Sequence, residues 1–307
     1  MPAYSAHCIF AREMMPFLYT ATDFEINEES VMFGTQGPDI FFFHRVFPWM
    51  PGKSLRKIGS QLHRTKPADI LKYMRKYCDS ISYEKEIAKS YVYGFILHYA
   101  LDRNCHPFVY SFQKQMTDKN PLTNPHTAHN LIELGADSYF LNRRFGVAEP
   151  VLFDTACTVG SNDKVMTEIG KLYEYILPEL INVNISPTAA KTALKDMKRV
   201  QSATYDATGI KRFFISILES IAAPFSKNYK FSAMMRPRDL EKAKNYVNIH
   251  KCKWKSPFDG SDHTESFEDL FELAKLDAKE MIVAFQNNAD TWEITHNISF
   301  LTGVETK

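Results

Sequence analysis

The sequence predicts an all-α protein: many helices joined by irregular connections. Three observations carry that expectation. Apolar residues recur at three- and four-residue intervals through most of the 307 residues. Strand-like alternation is scarce, and no internal repeat or low-complexity linker divides the chain. Pro, Asn or Ser stands ahead of several periodic stretches, as at Pro67, Asn124–Pro125 and Ser186–Pro187.

In chain order, residues 8–20 read as a first helix. Residues 23–37 hold few apolar side chains and end in "GTQGPDIFFF", a Gly/Pro turn that leads into an aromatic run. Residues 46–54, "VFPWMPGKS", read as a Pro/Gly loop, and 54–63 as a helix or an irregular segment. "PADILKYMRKYCDSI" places Pro67 at a helix start, with apolar residues at 70, 71, 74, 77 and 81. A long helix is expected from Ser82, a candidate N-cap with Glu86 in the first turn, to about Asn104, where Pro107 ends or bends it. Asn124 is the next candidate N-cap, Pro125 the first helical position and Gly146 the stop. Further helices are expected over 161–182, 187–206, 208–222, 236–249, 265–287 and 289–296, with 248–266 a loop rich in turn formers.

Bulk properties are those of an ordinary globular chain, with 24% charged and 45% hydrophobic residues. The 23 Phe and 15 Tyr predict an aromatic core. A net charge of +1 gives no overall bias toward nucleic acid or an anionic membrane. The N-terminal stretch lacks the basic-then-apolar pattern of a leader, and no run approaches the roughly 18 apolar residues of a membrane span. Cysteines 8, 78, 105, 157 and 252 are widely spaced, with no CxxC; free thiols and a cytoplasmic location are expected.

One stretch breaks the apolar pattern. "GFILHYALDRNCHPFVY", residues 94–110, sets His98, Asp102 and His106 four residues apart. Such positions share one helix stripe, drifting by about 40° per step. One polar side chain on a buried stripe is usually a hydrogen-bonded core residue. Three together cost several kcal/mol unless something compensates, and a divalent cation suits imidazole and carboxylate donors. A second segment, "HTAHNLIELGAD", has His129 and Glu133 at the same spacing and Asp137 a turn further. Asp39 follows a Gly-Pro turn, His63 closes "GSQLH", and His7 lies near the N-terminus. His44, His126, His250, His263 and His296 read as surface or loop histidines. Phe41, Phe42, Phe43 and Tyr99 read as core, with lining of an approach to the site as the other possibility.

This order of residues resembles the zinc-dependent phospholipase C family, over about residues 1–140. It runs His7, Gly-Pro-Asp39, His63, Gly94-Phe-x2-His98-x3-Asp102-x3-His106-Pro107, His129-x3-Glu133. Nucleases of the P1 type share much of it. The resemblance implies a multi-helix bundle of the phospholipase C/P1 nuclease type with a metal cluster in a cleft. With no repeat or linker to divide the chain, a single all-α domain is expected over 1–307, with the metal-site half at about 1–150 and additional helices at about 151–307. The resemblance further implies two or three zinc ions. Asp39, His63, His98 and Asp102 would hold one, Asp102 would bridge to a second that also binds His7, and His106, His129 and Glu133 would hold a third.

Three features depart from the family. Secreted members begin with a tryptophan whose amine and carbonyl bind the zinc of the first histidine, whereas "MPAYSA" precedes His7 here. The Asp102-x3-His106 spacing is shorter than in secreted members. Ile40 stands directly after the loop aspartate, where the lecithinase type has an aromatic at its choline pocket, and Ser60 precedes His63 by three.

The implied activity is that of a zinc-dependent phosphoric-ester hydrolase using metal-activated hydroxide for in-line attack on a phosphodiester, with Asp39 orienting the attacking water. The substrate could carry a phospholipid headgroup; no stable nucleic-acid partner is expected. The alternatives are a non-catalytic or degenerate helical metal-binding protein and a P1-like nuclease.

Overall fold

The computed structural model describes residues 4–47, 49–222 and 228–306. Helices dominate. The α-helices are α1 (Tyr4–Ala21), α2 (Glu28–Gly34), α3 (Arg56–Leu62), α4 (Pro67–Ser80), α5 (Lys85–Lys119), α6 (Pro125–Arg143), α7 (Asp163–Ile181), α8 (Pro187–Thr204), α9 (Ile210–Ala222), α10 (Leu240–Lys244), α11 (Phe267–Gln286) and α12 (Thr291–Thr295). A 3-10 segment, Gly37–Phe43, links α2 to the loop before α3. A two-stranded antiparallel hairpin pairs Trp254 with His263 and Lys255 with Asp262.

Helix α5 is the axis of the bundle. α2 and α11 pack along it, with α1, α4, α6 and α7 against its remaining faces. It buries Tyr91, Phe95, Tyr99 and Phe108, each worth about 1.5–3 kcal/mol of transfer free energy on the usual area scale. Backbones approach closely where α2 crosses it. A Cβ on Gly94 would lie 2.3 Å from Val31 O, and one on Gly34 would lie 2.3 Å from Tyr91 O. The glycine of the Gly-Phe-x2-His run is therefore there for the crossing.

Several sequence expectations are revised. Helix α1 starts at Tyr4 rather than residue 8, so His7 is helical. The region read as apolar-poor contains α2, capped by Asn27, whose side chain accepts from Ser30 N, with Glu28 and Glu29 in the favourable first turn. The start of α5 is Lys85, not Ser82; Glu84 precedes it in a left-handed conformation (φ 58°) that turns the chain back after α4.

Pro107 does not stop α5, which runs on to Lys119. A helical proline frees the carbonyl of the residue four before it, here Arg103. Gly303 of the C-terminal loop packs into that step: a Cβ on it would lie 2.7 Å from Pro107 Cγ and 2.8 Å from Arg103 O.

The helix expected over 236–249 shrinks to α10, which Asp239 caps by accepting from Glu241 N and Lys242 N and which gives way to turns from Asn245; beyond it Asn248 is left-handed (φ 52°) and ties its side chain to Cys252. The expected loop 248–266 contains the hairpin, held by Trp254 packing edge-on against Phe108. His44, read as a surface histidine, is buried; its Nδ1 accepts from Leu55 N, closing the base of the loop between them.

Other expectations match. Asn124 caps α6 by accepting from His126 N and Thr127 N, and Gly146 follows it at φ 69°. Phe41, Phe43 and Tyr99 are fully buried core; Phe42 stacks on His63 at 5.6 Å. No helix among the described residues is long and apolar enough to cross a membrane.

Candidate metal centre

The centre is assembled from five elements. α5 contributes His98, Asp102 and His106 from one stripe. The 3-10 segment contributes Asp39, α1 His7, the C-terminal end of α3 His63, and α6 His129 and Glu133. All are buried except His129, which is partly open. Gly37 is what lets the 3-10 segment in. It sits at φ 48°, and a Cβ there would lie 2.4 Å from the His98 ring. Its carbonyl accepts from Tyr91 OH at 3.3 Å and Tyr173 OH at 3.1 Å, which fixes the turn that presents Asp39.

Asp102 is the hub. Its Oδ1 is 3.2 Å from His7 Nε2, and its Oδ2 is 3.2 Å from His98 Nε2 and 3.7 Å from His63 Nε2. Asp39 Oδ1 is 3.2 Å from His63 Nε2. Donor atoms of Asp39, His63, His98 and Asp102 all fall within 4.8 Å of one another, as do those of His106, His129 and Glu133. In the second group Glu133 Oε1 is 3.1 Å from His129 Nε2 and 3.8 Å from His106 Nε2. Thus seven of the eight candidate residues fall into two adjacent groups joined through α5, and His7, outside both groups, reaches the first through Asp102.

Whether a cation suits these groups can be tested on the rings themselves. His63 Nδ1 faces Gly59 O at 2.7 Å, His98 Nδ1 faces Thr35 O at 3.1 Å, and His106 Nδ1 faces Phe300 O at 2.7 Å. A nitrogen against a carbonyl oxygen must carry the proton. In the neutral ring, Nε2 then presents its lone pair inward, as in metal-ligating histidines. His129 Nδ1 is held the same way by Gln113 Oε1 at 2.9 Å. Several inward atoms have no hydrogen bond: His98 Nε2, Asp102 Oδ2 and Glu133 Oε2. His98 Nε2 and Asp102 Oδ2 are close but not aligned for a hydrogen bond. Buried polar atoms left in this state are costly, and a cation would satisfy them. The donor set is imidazole and carboxylate without thiolate, which zinc accepts.

Electrostatics point the same way. Burial opposes charge on His63, but Asp39 and Asp102 outweigh it and its pKa is pushed up to about 10. Burial likewise opposes charge on His106, and Asp102 then Glu133 raise it to about 9. Burial works to raise the carboxylates, yet the histidines hold both far down. His106 and His98 lead for Asp102, His129 and His106 for Glu133. A site that holds its carboxylates ionised this strongly is a site for positive charge.

Sequence reasoning missed the supports. Phe300, Gly59 and Thr35 act through backbone carbonyls, which no residue type announces. Gln113 lies seven residues after His106, near the same stripe, and that spacing was the available signal. Asp137 continues the His129–Glu133 stripe but turns to α1, accepting Ser5 N at 3.0 Å and Ala6 N at 2.8 Å. Arg236 Nη2 donates to Ser5 Oγ at 3.0 Å from the same side.

The family model for zinc-dependent phospholipase C matches residues 6–186, a span that takes in all eight residues. The chain belongs to that family. No curated protein and no solved structure matches the chain. Membership of the zinc-dependent phospholipase C family accords with the helical fold and with the two candidate metal clusters.

Proposed function

We propose that this family member is a zinc-dependent phosphoric-ester hydrolase acting on a phosphodiester, with a phospholipid headgroup as the favoured substrate. In this reading Asp39, His63, His98 and Asp102 hold one zinc and Asp102 shares charge with a position beside His7. His106, His129 and Glu133 hold another. The observation that carries the reading is that the two groups are neighbours: the His106 ring lies between them, its Nδ1 side 3.7 Å from Asp102 Oδ2 and its Nε2 3.8 Å from Glu133 Oε1. A phosphoryl group could be gripped from both sides only in such an arrangement.

Bound there, zinc supplies Lewis acidity toward phosphoryl oxygens and lowers the pKa of a coordinated water toward about 7. The chain's own groups do the rest. Asp39 orients the attacking water and takes up its hydrogen bond, held in place by His63 and by the tyrosine-braced Gly37 carbonyl. Asp102 keeps His7, His63 and His98 turned to a common point. Three carboxylates (Asp39, Asp102, Glu133) against two or three dications leave net positive charge, which suits an anionic diester.

We further read 1–307 as one all-α domain, since Phe300 reaches back to His106 and α11 packs on α5. The five free cysteines, three of them buried, support a reducing, cytoplasmic setting. No stable nucleic-acid partner forms part of the reading.

Elemental analysis of protein purified without chelator, beside hydrolysis of a soluble aryl phosphodiester with added zinc, tests the proposal. Two or three zinc per chain and zinc-dependent hydrolysis are expected. One zinc or none, with no hydrolysis, would leave a non-catalytic metal-binding protein instead.

A further inference from the structure

Helix α9 carries an apolar stripe that the described residues leave uncovered. Ile210, Phe213, Phe214, Ile217, Leu218 and Ile221 fall at successive three- and four-residue steps, and each is between 43% and 71% exposed. Monomeric proteins rarely show so continuous a patch without a use for it. The opposite face is fastened to the body. There Glu219 accepts from Ser232 N and Oγ, both at 2.6 Å, while exposed Lys211, beside the stripe, donates from Nζ to Tyr205 O at 2.9 Å.

Charge identifies the occupant. The chain's net charge is only +1, but its basic residues are segregated. Between Asp39 and Asp69 there are six Lys and Arg and no acidic residue; between Asp206 and Asp239 Lys211, Arg212, Lys230 and Arg238 are at least partly exposed against Glu219 alone, Arg236 being turned inward to Pro150 O, Phe153 O and Ser5 Oγ. These two segments meet. Phe47 approaches Phe231 with ring centroids 6.4 Å apart, and Phe47 also stacks flat on Trp49, which is 75% exposed. The second segment is also tied to the metal-site wall, where Lys230 N donates to Thr127 Oγ1 at 2.9 Å, two residues before His129.

We propose that α9 and the Trp49 loop dock this protein on an anionic phospholipid surface. The apolar stripe enters the headgroup–acyl boundary, and the flanking Lys and Arg face the lipid phosphates. An aliphatic majority in the stripe fits acyl chains better than nucleobases, which need aromatic faces to stack on. The inference rests on the phosphodiesterase reading in one respect: the docked surface would also present the substrate.

The test uses zinc-loaded full-length protein and sedimentation with vesicles. One set is phosphatidylcholine alone, the other an equimolar mixture with phosphatidylglycerol. Wild type is expected to partition more strongly to the mixed vesicles. Phe213→Ser/Phe214→Ser is expected to lose at least about tenfold of that binding, and Trp49→Ala, on a separate element, a smaller part. Both should keep wild-type melting and soluble-diester hydrolysis. Unchanged vesicle binding in both variants would overturn the proposal. So would wild type that ignores vesicles but forms a dimer, or binds single-stranded oligonucleotide, through the same phenylalanines. Wild type that binds vesicles through α9 yet cleaves no diester would support the docking surface and sink the hydrolase reading.

Discussion

The carboxylate of Asp137 accepts the backbone N–H of Ala6 at 2.8 Å, fixing the residue next to His7. It accepts Ser5 N as well, so one side chain of α6 serves the first amides of α1. Asp137→Ala leaves two buried N–H groups unpaired and is predicted to cost about 2–4 kcal/mol in denaturant melts. Asp137→Asn, which keeps one acceptor oxygen, should fall between the two. If His7 depends on this anchor, zinc content should drop in Asp137→Ala while His129 and Glu133 keep theirs. Equal zinc in variant and wild type would show that His7 needs no such support.

Asp102→Asn removes the charge on which His7, His63 and His98 converge. It is predicted to lose zinc from the Asp39–His63–His98 group and to lose phosphodiester hydrolysis, while far-UV circular dichroism stays near wild type. Unchanged zinc content would argue against the hub.

Chelation should lower the melting temperature by several degrees. An ion bound only to the folded state at a thousandfold excess over its dissociation constant contributes about 4 kcal/mol. An unaltered melt on prolonged dialysis against chelator would mean that the buried polar groups satisfy one another.

The chelated protein should also show a particular pH dependence. His63 and His106 have pKa values raised to about 10 and about 9, so their charged forms stabilise the fold fully below about pH 6.5. That contribution is lost as pH rises through 9 to 10. Asp102 and Glu133 are depressed, so theirs is present above about pH 4.5 and lost in acid. Melting of the chelated protein is therefore predicted to fall between pH 7 and 10. The zinc-loaded protein, which needs neutral rings, should hold its melting temperature across that range. Melting scans of both forms at several pH values check it.

Gly37→Ala puts a Cβ into the His98 ring at a left-handed backbone position. A loss of about 2 kcal/mol or more is expected, together with weaker zinc retention, because either the ring or the Asp39 turn must move.

Helical periodicity made the long elements legible from residues alone. α4, α6, α7, α8 and α11 lie within a few residues of their expected bounds. Among the short elements, α3 and α12 lie inside the expected 54–63 and 289–296, whereas α2 was not foreseen and α10 was drawn too long, their stability being tertiary. α2 has seven residues and holds by its glycine crossing with α5; α10 starts only at the Asp239 cap and gives way to turns from Asn245. Pro107 misled because the helix carries on through it, with Gly303 of a loop far along the chain packed against the proline step. In the candidate site, residue types and spacing pointed to the seven side chains of the two groups and to His7 beside Asp102. The carbonyls that orient the rings, and the burial of His44, depend on chain path alone. The net charge was read as neutral toward membranes, and the segregation behind it emerged only when the 45–57 loop and residues 228–235 proved to be neighbours.

The grip of Phe300 on His106 spans 194 residues of sequence. A polypeptide still being synthesised can build α5 and α6 long before it owns the carbonyl that aims this imidazole. Until translation has passed residue 300 the second cluster lacks that orienting contact. A fragment cut short of that point would carry every donor of the cluster but leave His106 free to swivel.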